Sequence, residues 1–78
     1  MNEDVIKQIC EMNLPDEVKE DTIACVKKVM MYNNENTKES LLDWKNAYAL
    51  AFTTLKTYKA SHEISPTCYD TLLDMIRL

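Results

Sequence analysis

The residues of this chain that are capable of chemistry are few. Cys10, Cys25 and Cys68, with the single histidine His62, have the composition of a Cys3His zinc site. Structural zinc sites take their ligands as close pairs, two to four residues apart. Here the separations are 15, 37 and 6 residues. The cysteines are therefore expected to pack as small hydrophobic residues, and no metal is expected. His62 and Cys68 flank one loop, and a thiol at a helix N-terminus can have a lowered pKa. A nucleophilic Cys–His pair would still need sulfur and base within hydrogen-bond reach. No oxyanion loop or substrate-shaping segment accompanies them. Carboxylates recur four residues apart, Glu39 with Asp43 and Asp16 with Glu20, a spacing that is ordinary on a solvated helix face. The chain contains no glycine, which excludes glycine-built phosphate loops, the dinucleotide fingerprint and the nucleophile elbow. The expectation is a protein that is not an enzyme, with no cofactor and no small-molecule substrate.

Charge bears on partners. Thirteen acids stand against nine basic residues, a balance that disfavours a nucleic-acid binder reliant on phosphate neutralisation. The charge is unevenly spread. Residues 1–21 hold seven acids and two lysines, whereas residues 22–62 hold six lysines and three acids. An acidic end can dock on a basic protein surface and steer its approach; it also serves solubility and the helix N-termini. The lysines lie about one per turn on two helices, without the clustering of a recognition helix.

These side chains need a scaffold, and the hydrophobic spacing predicts an all-α one. Four helices are expected, over residues 3–12, 15–33, 37–61 and 66–77. In the first, Val5, Ile6, Ile9 and Met12 share a face. Asn13-Leu14-Pro15 ends it, since the residue before proline avoids helical geometry. Pro15, Asp16 and Glu17 suit the start of the second, whose stripe is Val18, Thr22, Cys25, Val26, Val29 and Tyr32. Asn33 to Asn36 closes it, because Asn tolerates the left-handed cap conformation. Asn36 and Glu39 resemble a capping box for the third helix. Leu41, Trp44, Tyr48, Phe52 and Leu55 are expected to form its main face. Ser65-Pro66 announces the fourth, with Tyr69, Leu72, Leu73 and Ile76 as its stripe. The short link makes helices two and three an antiparallel hairpin. The two short helices flank it in a single domain, with the third helix as a central rod.

The most informative stretch is Asn46 to Leu55, ten residues without a charge. A surface helix normally carries charges on its outer side. Leu50 lies opposite the Tyr48–Phe52 side, with Asn46, Ala47, Thr53, Thr54 and Thr57 around it and Leu42 and Ala49 on the flank. Either the short helices cover this side, or another protein does. Met31 also points away from the stripe of its helix, and methionine suits adaptable contact surfaces.

The chain thus reads as a small protein-interaction module: an inhibitor, an antitoxin-like or immunity-type regulator, or an adaptor. The contact residues expected are Met31, Tyr32, Leu50, Thr54 and Tyr58, with the acids Asp16, Glu17, Glu20 and Asp21. One alternative is a self-assembling homodimer built on the third helix. Another is a dimeric nucleic-acid-binding regulator using Lys27, Lys28, Lys38, Lys56 and Lys59. The odd cysteine count argues against a disulfide scaffold. The start of the chain lacks the apolar segment of a secretory signal, and no apolar run is long enough for a membrane span. The expectation from those features is a cytoplasmic protein with reduced thiols.

Overall fold

Turn chemistry and hydrophobic spacing divide the chain into four helices, and the computed structural model, which describes residues 2–78, realises all four. They are α1 (Asn2–Glu11), α2 (Asp16–Glu35), α3 (Lys38–Ala60) and α4 (Pro66–Ile76). No strand occurs among the described residues. The boundaries fall within two residues of those expected.

The caps explain the boundaries. Pro15 serves as the N-cap of α2 and is not its first helical residue, with Asp16 and Glu17 in the first turn. Asn36 closes α2 in the left-handed conformation at φ 51°, its N–H donating to the Tyr32 carbonyl, as asparagine permits. The box that opens α3 is one residue later than expected. Thr37 is the N-cap, its hydroxyl accepts from the Ser40 N–H, and Ser40 Oγ accepts in return from the Thr37 N–H. Glu39 takes no part in this box. At the far end of α3, His62 adopts φ 65°. The Glu63 N–H donates to the Tyr58 carbonyl and the His62 N–H to that of Lys59. This is a Schellman motif with histidine where glycine is usual. Ser65 accepts from the Cys68 N–H and Pro66 opens α4.

Burial follows the stripes on three helices. Ile9 of α1 is buried, with Val5, Ile6 and Met12 packed partly buried around it. On α2, Val18, Thr22, Cys25, Val26 and Val29 are buried. On α4, Leu72 and Ile76 are buried and Tyr69 and Leu73 are partly so.

The third helix differs from expectation in two ways. Its buried residues are Ser40, Ala51, Thr54 and Leu55. Trp44 and Tyr48 are half buried and pack against the core as expected, while Phe52, half buried, stacks on Tyr48 outside the core cluster, with successive centroids 5.1 Å and 6.0 Å apart. The physical reason is size. Small side chains such as Ala51 and Thr54 disappear wholly beneath α2, whereas the larger rings of Trp44 and Tyr48 reach the core and keep part of their surface in solvent. The second difference concerns which helix is central. α2 packs on α1, α3 and α4, whereas α3 packs substantially only on α2 and α4. The hub is α2, and α1 leaves the outer side of α3 uncovered.

Two hydrogen bonds fix α4 to the hairpin. The Trp44 indole N–H donates to the Ile76 carbonyl at 2.9 Å, and the Cys25 thiol donates to the same oxygen at 3.3 Å. A carbonyl at a helix end lacks its helical partner, and here the core supplies two donors. Lys19 does the same for α1, its ammonium reaching the Cys10 carbonyl at 3.2 Å.

Candidate interaction surface

The helix geometry of α3 sets out its uncovered side. At about 100° per residue, Leu42, Asn46, Ala49, Leu50, Thr53 and Thr57 share the side away from the buried face, with the exposed Glu39 carboxylate at its N-terminal end. Leu42 and Leu50 are each 58% exposed. Ala49, Asn46, Thr53 and Thr57 are exposed with them. Thr53 and Thr57 turn their hydroxyls onto the carbonyls of Ala49 and Thr53, four residues back. Those bonds leave the methyl groups as the outward chemistry, so the strip is less polar than its composition suggests. Leu50 was legible from the sequence. Leu42 was placed on a flank, although its position opposite Leu55 carried the same signal.

The other expected contact residues fall into two groups. At the Tyr58 end of the hairpin, Thr54 is buried and its hydroxyl donates to the Asp21 carboxylate at 2.5 Å. Thr54 therefore ties α3 to α2 and is not presented to a partner. The same bond occupies one oxygen of Asp21. Tyr58 is half buried beside them. Desolvation, and then the negative charges of Glu17, Glu63 and Asp21, raise its hydroxyl above the usual tyrosine range. Asp16, Glu17 and Glu20 are exposed. At the opposite end of α2, Met31 is 39% exposed and Tyr32 is half buried. Met31 occupies the outer side of its own helix and does not adjoin the α3 strip.

The nucleophilic and ligating candidates are dispersed. Cys10 is exposed on α1, Cys25 is buried in the core and Cys68 is half buried in the first turn of α4. Burial holds the Cys25 thiol up at about 11. Cys68 is also raised by burial. This is the opposite direction to the lowering expected at a helix N-terminus. Among the described residues, no three His, Cys, Asp or Glu side chains converge in a metal-binding arrangement. The lysines considered for nucleic acid are similarly scattered, and two lie over rings of this chain: Lys56 over Phe52 at 5.3 Å and Lys59 over Tyr69 at 4.4 Å. No helix among the described residues is long and apolar enough to cross a membrane.

Comparison of the chain with protein-family models, with curated proteins and with solved structures finds no match.

Proposed function

We propose that this protein is a small, non-enzymatic, cytoplasmic interaction module whose contact surface is the outer face of α3. The observation that carries the reading is a two-sided helix. A 23-residue rod packs one side on α2 and α4 and holds two leucines 58% exposed on the other, with no charge from Asn46 to Leu55. Burying a leucine contributes about 1.5–3 kcal/mol, so two such side chains near the centre of a contact suffice to anchor it. Regulation by occupying a target's surface, as an inhibitor, immunity factor or adaptor does, requires nothing more of the chain. The exposed acids at the start of α2 would steer a basic partner towards the same end of the hairpin.

The test compares the tagged wild-type chain with a Leu42→Lys, Leu50→Lys double variant as bait in native host extract. Circular dichroism of the two should coincide, because neither leucine is in the core. A specific protein partner retained by the wild type and lost by the variant is expected. A partner retained equally by both would move the contact surface elsewhere on the molecule. Recovery of no specific partner under stringent washing, together with a strictly monomeric chain, would end the reading.

A further inference from the structure

We draw no further inference here: the strongest candidate, the uncovered outer face of α3 around Leu42, Asn46 and Leu50, is bordered by exposed charges of both signs that suit several occupants equally, and nothing in the structure shows what covers it.

Discussion

The two sides of α3 share one backbone and differ in what touches them. On the inner side, Leu55 and Ala51 are fully buried and Thr54 nearly so, against α2 and the core. On the outer side, Leu42 and Leu50 are more than half exposed. Both sides are poor in charge between Asn46 and Leu55, so charge does not separate core from surface here. Side-chain size does. The inner side near α2 is lined by small residues, Ala47, Ala51 and Thr54, with Trp44 and Tyr48 packed against the core beside them. A helix whose solvent side resembles its core side is the feature on which the interaction reading rests.

Substitutions along α3 break or sharpen this contrast. The largest effect is expected at Leu55. Leu55→Ala should cost about 2–5 kcal/mol, comparable to the whole stability of a domain this size, about 3–5 kcal/mol. Urea unfolding should show the loss as a fall in midpoint, or as a chain already unfolded in buffer. Next comes the indole bond. Trp44→Phe keeps a ring but removes a donor to the Ile76 carbonyl, and a loss of about 1–2 kcal/mol is expected; a change within error would mean the Cys25 thiol suffices. Thr54→Val removes the hydroxyl that meets Asp21 while keeping the shape, at about 1 kcal/mol. His62→Gly, just past the helix end, should raise stability by about 0.5–1 kcal/mol, because glycine adopts positive φ without steric cost. The smallest effect belongs to the outer side: Leu50→Ala, measured at low micromolar concentration, should stay within about 0.5 kcal/mol. If Leu50→Ala matched Leu55→Ala, the two sides would not differ and the functional reading would lose its basis.

The pH dependence sharpens the inner side separately. The Cys25 thiol ionises near its ordinary value, 9.0, when the chain is unfolded and at about 11 when folded. The folded state holds the proton more tightly, so its contribution is complete below pH 9 and is lost as pH rises towards 11. The fall in stability over that range should be steeper in the wild type than in Cys25→Ala, followed by chemical unfolding at fixed pH values.

Local chemistry made most of the fold readable. Val18, Thr22, Cys25, Val26 and Val29 define their stripe without ambiguity, because β-branched and small residues at helical spacing have only one side to share. Pro15, Asn36 and Ser65-Pro66 mark helix ends by backbone rules that act within a few residues. The burial of Ser40, Ala51 and Thr54 on α3 is not readable in this way. Trp44, Tyr48 and Phe52 dominate any reading of its hydrophobic side, whereas the burial of Ala51 and Thr54 depends on where α2 lies, a property of two helices together. The Asp21–Thr54 bond spans 33 residues and has no local signature. His62 in the left-handed conformation was missed because histidine seldom takes that role. The exposed Leu50 was readable because an uncharged decade within a helix is conspicuous. Leu42 lies outside that decade, and its spacing places it only on the flank.

The shared acceptor at Ile76 has one more consequence. The only tryptophan of the chain donates to that carbonyl, so its fluorescence is a built-in gauge of whether the last helix is seated. Departure of α4 would release the indole to water and shift its emission to the red, even with the α2–α3 hairpin intact. A fluorescence transition that precedes the loss of helicity would reveal a chain that sheds its final segment before it melts.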